Sequence, residues 1–326
     1  ERSEALILPQ MLEQLQRFVL SLSLKYQLAA ISRMRLVETP LDTGFLAHIN
    51  AWPLSSGPGD ALIRLYARTI ACLQEPENAA AYQQLKDAFV QDIDQLAPGD
   101  AQTLYYTLLN YLNGRHKAGT TQVIEELFFF YRGAYERGHL FSGPYIDAHV
   151  FTNLVMVCSG VIKRETDPQR QEELRLWRSR LVEENQERLR PALREMTLRY
   201  VEAYIHYEEK AYSAAYRILS SYKHPDIFAD ITRRILLLKV YFDADDPELF
   251  DAQAKSAWMY ISRAEQVAAS KREAYNHFVR LTRRLFVLRG KPETARDLAR
   301  IREEILALPS LEGRSWLIEK CGEMGG

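Results

Sequence analysis

Three cysteines, Cys72, Cys158 and Cys321, are all that the 326 residues contain. They are odd in number and far apart, which excludes a disulfide framework and leads us to expect reduced thiols in a cytoplasmic compartment. An excess of charge of one sign is also missing. With 42 basic and 43 acidic side chains the net charge is −1, so nothing draws the whole chain onto nucleic acid or an anionic lipid surface. Long apolar runs are absent: the uncharged stretch from Ala148 to Ile162 has 15 residues, short of the roughly 20 that a membrane-spanning helix requires. Alternating apolar and polar runs between turn dipeptides are lacking, so no strand is expected. The opening residues lack a secretory-leader pattern. The start at Glu1 rather than Met leads us to expect a piece of a longer protein.

Helical spacing runs through what is there. In Pro9–Glu38, Leu12, Leu15, Val19, Leu22, Tyr26 and Ala29 follow in alternating steps of three and four, until Arg33 breaks the stripe. Such a stripe faces either a core or a partner, and a core is the expectation here. Residues Trp52–Asp60 (WPLSSGPGD) read as the strongest loop. Further helices are expected over Ala61–Gln74, Asn78–Ala97, Asp100–Asn113, Thr120–Arg137, Pro144–Arg164, Pro168–Arg190 and Pro191–Lys210. Thr120 and Thr121 are placed to cap one of these, and Asp167-Pro168 reads as a cap followed by a first-turn proline. The run Leu127–Tyr131 (LFFFY) is too bulky to leave in water, so its helix should be covered on several sides.

The prolines recur at steps of 22 to 24 residues: Pro76 to Pro98, Pro144 to Pro168, Pro168 to Pro191 and Pro225 to Pro247. Proline is tolerated in the first turn of a helix and breaks its interior. The spacing therefore predicts rods of roughly 20 residues, about 30 Å long, paired into hairpins. Neither rod of a hairpin can bury its apolar face alone, so each needs its partner and then the adjacent pair.

One interval differs. LRYVEAYIHYEEK followed by AYSAAYRILSSYKHPD, within the 34 residues from Pro191 to Pro225, resembles a tetratricopeptide repeat. Ala203 falls at the small position of the first helix, and Tyr212, Ala215 and Leu219 at the aromatic, small and large apolar positions of the second. RGKPETARDLA is a second partial match with Ala295 in the place of Ala215, and Asp246-Pro247-Glu248-Leu249 marks the unit between. The pattern departs from the family at Glu202, Tyr222 and Arg283, and HEAT-like repeats fit the proline rhythm as well.

The expected fold is thus an all-α, right-handed α-solenoid of stacked antiparallel hairpins over residues 1–326. Residues 1–60 would be an N-terminal capping segment, 61–197 long hairpins, 198–308 the tetratricopeptide-like units and 309–326 a C-terminal capping helix.

Catalytic patterns are scarce. Gly114 and Gly119 have the separation of a phosphate-binding loop, but Thr120 stands where its lysine is needed. Glu202, His206 and Glu209 share a helix face without the second Glu-x-x-His that a di-metal bundle uses. Asp147, His139 and His149 have no zinc-ligand spacing. Cys158, inside LVMVCSGV, reads as an inert core thiol. No enzyme activity, metal or cofactor is expected.

Charge distribution is more informative. Lys271–Arg302 holds ten basic residues against Glu273, Glu293 and Asp297, while residues 1–100 hold 8 basic and 12 acidic ones. The tetratricopeptide resemblance implies a groove lined by the first helix of each pair. Carried over, its groove positions are Tyr200, Tyr204 and Tyr207, then His277, Arg280 and Arg284. Tyrosine supplies contact area at low entropic cost and arginine forked bonds to carboxylates. The expected function is a non-catalytic interaction scaffold or sensor module that holds an acidic peptide or partner protein. A regulatory repeat region of a larger effector or nucleic-acid-binding protein is the alternative.

Overall fold

The computed structural model describes residues 2–37, 61–117, 123–289, 291 and 295–325, and they are almost entirely helical. The chain divides into two compact units, Glu1–Tyr111 and Leu112–Gly326. The division falls inside one helix. The Trp52–Asp60 loop and the Thr120-Thr121 cap lie outside the described residues.

In the first unit α1 (Arg2–Val37) packs on α2 (Ala61–Gln74) and α2 on α3 (Ala79–Asp92). A 3-10 turn at Ile93–Gln95 then leads into α4 (Pro98–Lys117). Leu28, Leu65, Leu85, Phe89 and Leu104 form the core. Asp100, in the first turn of α4, ties the unit together by accepting hydrogen bonds from the Tyr66 hydroxyl at 2.9 Å and from Lys25 at 2.8 Å.

The expectation of a core-facing stripe on α1 is corrected. Leu12, Leu15, Val19, Leu22, Tyr26 and Ala29 are all exposed. The residues that α1 buries, Leu24, Gln27, Leu28 and Ile31, lie on a different face near its C-terminal end. The helix also runs through Pro9 toward its N-terminus instead of starting there.

The second unit opens with the end of α4 and continues through α5 (Val123–Glu136), α6 (Ala148–Arg164), α7 (Pro168–Asn185), α8 (Pro191–Glu208) and α9 (Tyr212–Ser220). Next come α10 (Ile227–Asp243), α11 (Pro247–Ser262), α12 (Ala269–Leu288), α13 (Ala295–Ala307) and α14 (Arg314–Gly325). Within the hairpins α6/α7, α8/α9, α10/α11 and α12/α13 the two helices touch, and the first helices also touch in succession: α6 on α8, α8 on α10, α10 on α12. This neighbour-to-neighbour packing is that of a helical-repeat protein. Pro98, Pro168, Pro191 and Pro247 open helices as the rhythm placed them. Pro144 instead sits in the turn between Phe141–Ser142 and Tyr145–Ile146, so the helix expected over Pro144–Arg164 starts at Ala148, and Pro76 and Pro225 lie in the links before helices. Asp167 and Asp246 cap α7 and α11 through side-chain bonds at 3.0 Å, each with proline in the first turn.

Small residues permit the close approach of backbones. Ala203, Ala215, Ala254 and Ala257 have no exposed surface, and neither has Leu219. Ala295 does not take the role of Ala215: it is exposed at the first turn of α13, where Leu298, Ile301 and Ile305 make the contact instead. A left-handed turn recurs at Lys210 (φ 60°) and Asp245 (φ 57°), the residues that end the first helices of two successive hairpins. Of the LFFFY run four residues are buried, and only Phe129 is exposed.

The absence of strands needs a correction too. Phe141–Ser142 (β1) and Tyr145–Ile146 (β2) pair antiparallel across a turn at Gly143, whose φ of 60° favours glycine. Two residues per strand are too few to leave an alternating pattern in the sequence.

Candidate functional site

Of the six residues expected to line one groove, five occupy two separate places and His277 lies in neither. Tyr200, Tyr204 and Tyr207 face the interior of the stack. Tyr207 is buried, donating a hydrogen bond to Asp243 at 2.6 Å and accepting one from the indole of Trp316 at 2.7 Å. Its hydroxyl is satisfied on both counts, and burial followed by the Asp243 charge raises its pKa well above the usual phenol value. Tyr200 and Tyr204 are half-buried against the same core, and desolvation pushes both phenols up.

The cover over this inner face is α14. Trp316 meets Phe242 of α10 at 5.1 Å and Phe278 of α12 at 5.6 Å between ring centroids. Lys320 bridges to Asp243 at 2.8 Å and to Glu323 at 2.7 Å, and Glu319 pairs with Lys163 at the end of α6. Ser315 donates to the carbonyl of His116 at 3.1 Å. One short helix thus touches α4, α6, α8, α10 and α12. Gly313 makes its approach feasible: φ there is 68°, and a Cβ would stand 2.6 Å from the Phe278 ring.

Lys239 of α10 points under this cover. Its Nζ lies 5.4 Å from the Trp316 ring and 5.6 Å from that of Phe278. It makes no salt bridge among the described residues. Desolvation lowers its pKa to about 8, against the opposing pull of Glu208, Asp243 and Glu319.

Arg280 and Arg284 sit on the other side of α12. They open into a cavity of about 730 Å³ between α11, α12 and α13. Its floor is apolar: Trp258, Met259 and Val287, each at least 41% exposed, with Leu288 and Ile301. Its rim is cationic: Lys255, Arg280, Arg283 and Arg284, with Asp297 the acidic member of the lining. Two carboxylates are each shared between two cations. Glu304 accepts from Arg280 at 2.6 Å and from Arg284, and Asp251 from Lys255 at 2.6 Å and Arg283 at 3.0 Å. Burial would raise the Glu304 pKa, but the two guanidiniums outweigh it and hold that carboxyl below the usual range. With one acid serving two bases, positive charge is left for a ligand.

His277 belongs to neither place fully. It is half-buried on α12, with Nε2 3.8 Å from Glu273 and Nδ1 buried without a partner among the described residues.

The cavity floor went unread in the sequence although a signal existed. Trp258 and Met259 fall between the core positions Phe250, Ala254, Ala257 and Ile261, and Val287 lies off the Phe278–Leu281–Leu285 line. Large apolar residues out of phase with a helix's own core stripe have no internal partner to expect.

The remaining candidates hold structural posts. Asp147 caps α6 by accepting from His149 N and Val150 N. His206 lies 3.9 Å from Glu202 on one helix. Gly114 to Lys117 continue α4. The Cys158 thiol is fully buried, and desolvation pushes its pKa up to about 12. Among the described residues no group of three or more His, Cys, Asp or Glu is arranged to hold a metal, and no helix is long and apolar enough to cross a membrane. Comparison of the chain with protein-family models, with curated proteins and with solved structures found no match.

Proposed function

We propose that the chain is a non-catalytic interaction module, a tetratricopeptide-like right-handed stack working in the cytoplasm, that holds an acidic peptide carrying apolar anchors. The observation that carries this reading is the cavity between α11, α12 and α13, where arginines and a lysine ring Trp258, Met259 and Val287. An apolar floor of this kind takes a leucine or aromatic side chain, and the arginine forks take flanking carboxylates. Glu304 and Asp251 keep the rim cations in place before binding and yield them to stronger acceptors. The buried thiols of Cys72, Cys158 and Cys321 fit a reducing compartment.

The docking place in this reading is the cavity alone, because α14 already covers Tyr207 on the inner face. The test is a labelled peptide array graded in acidic and aromatic content, followed by titration of its best member with Trp258 as fluorescence reporter. Binding should weaken with salt and be abolished by Arg280→Glu with Arg284→Glu. Retained affinity in that double variant discards the site. Capture of only basic or uncharged peptides discards the ligand class.

A further inference from the structure

A long exposed apolar stripe lies elsewhere. Along α1, Leu8, Leu12, Leu15, Val19, Leu22 and Tyr26 stand 38 to 69% exposed on a single stripe. Their spacing of four, three, four, three and four is the seam of a two-stranded coil. Leucine fills one of the two seam positions throughout (Leu8, Leu15, Leu22), and Leu12, Val19 and Tyr26 fill the other. Met11 and Phe18, both exposed, widen the same side.

The helix is already partnered within its own unit through a different face. Leu24, Leu28 and Ile31 are buried, and α1 packs on α2. On the heptad wheel Leu24 and Ile31 take the position farthest from the seam. The stripe is therefore a second face, left exposed by the packing of the described residues of the unit. With side chains exposing on the order of 100 Å² each, it offers an area comparable to the roughly 800 Å² per partner of a stable interface. A monomer seldom presents so large a contiguous apolar patch to water.

Charge narrows the occupant. Between Leu8 and Tyr26 only Glu13, Arg17 and Lys25 are charged; the first two neutralise each other in a salt bridge at 2.8 Å, and Lys25 is held by Asp100 at 2.8 Å. An acidic or basic partner would find nothing to pair with. A lipid surface would lack the fringe of lysines and arginines that holds interfacial helices. A second identical stripe meets no like-charge repulsion and matches in length and spacing.

We propose that α1 is a self-association helix whose stripe from Leu8 to Tyr26 pairs with the same stripe of a second copy of this chain. Each copy would then present its own α11–α13 cavity, though the pairing does not depend on what that cavity binds.

The test is sedimentation velocity of the full chain over a range of micromolar concentrations. The native protein should sediment with twice the mass of one chain. Leu15→Asp with Leu22→Asp should give the single-chain mass, with far-UV circular dichroism and thermal melting of the remaining helices preserved. The milder Leu15→Ala with Leu22→Ala should raise the dimer dissociation constant at least tenfold, which keeps the proposal testable if the aspartates disturb the helix. A native chain that stays monomeric throughout, or a dimer indifferent to the alanine pair, overturns it. So does a monomer that floats with phosphatidylcholine vesicles through the same leucines.

Discussion

The two sides of α12 were given the same kind of residue and came to opposite ends. On one side Phe278 meets Trp316, and Tyr275 sits half-buried with its phenol pushed up to about 12 by burial. On the other, Arg280, Arg284 and Val287 look into an open cavity. Both sides mix aromatic or apolar surface with charge, so composition does not separate them. What separates them is whether another element of the chain arrives. On the inner side α14 brings Trp316 and Lys320, whose indole N–H and ammonium are taken by Tyr207 and Asp243, while the Lys239 ammonium lies beside the rings of Trp316 and Phe278. On the outer side α11 and α13 stop short of closing. An inner face closed by α14 is a core; an outer face whose four bases share Asp251, Glu304 and Asp297 is a place for something else.

The sharpest way to break this contrast is to remove the cover. Trp316→Ala deletes an indole that fills the space between Phe242, Phe278 and Tyr207, and it leaves the Tyr207 hydroxyl with one partner fewer. A loss of about 3–5 kcal/mol in urea unfolding is expected. A loss below about 1 kcal/mol would mean that α14 is not seated on the stack.

Asp230→Asn comes next. The buried Asp230 carboxylate accepts from Arg233 at 2.7 Å and Arg234 at 2.8 Å. Taking its charge away strands the buried Arg233, at a cost of roughly 3 kcal/mol. Burial alone would raise the Asp230 pKa, but the two guanidiniums and the His224 N–H hold it below its usual value. Its contribution is therefore fully present above the unfolded-state pKa and is lost as pH falls through the lower folded value. Melting curves taken through the acid range should show a shallower acid limb in the Asn variant.

Lys239 tests the same inner face from the alkaline side. Its folded pKa of about 8 lies below the usual lysine value, so between about pH 8 and ~10 the unfolded chain binds a proton that the folded chain has released. Stability should rise with pH across that window, until ionisation of the unfolded chain's tyrosines pulls it down again. Lys239→Met should add about 1 kcal/mol at neutral pH and flatten the rise. An unchanged pH profile would show that the ammonium is well solvated.

The smallest effect belongs to the open side. Arg284→Ala removes an exposed pair to Glu304 and should shift stability by no more than about 0.5 kcal/mol. Peptide capture should nevertheless weaken, and this separation of stability from binding is what a docking surface requires. A large destabilisation would instead assign Arg284 to the packing of α12 on α13.

Much of the local structure was readable in advance. Ala61–Gln74 was delimited to the residue, Pro168, Pro191 and Pro247 open helices, and Asp167 caps as its type and place suggested. The alanines at 203 and 215 marked a close crossing that the packing of α8 on α9 realises. These features depend on neighbours within a turn or two, and a linear pattern carries them. The site was only half legible. Arg280 and Arg284 do face one opening, but Tyr207 ended under Trp316, 109 residues further along the chain. Nothing in the stretch from Tyr200 to Tyr207 announces that distant helix. The α1 stripe misled for a related reason, since a heptad reads the same whether its partner is internal or another molecule.

The amino-acid order alone settled most of the helices, the Asp167 cap and the proline-led helix starts at 168, 191 and 247, because backbone hydrogen bonds and apolar spacing act over short separations. Which faces of those helices are closed and which are open was decided only in three dimensions. That outcome rests on where α14 comes to lie, and its place is set by the helices of the second unit that it touches.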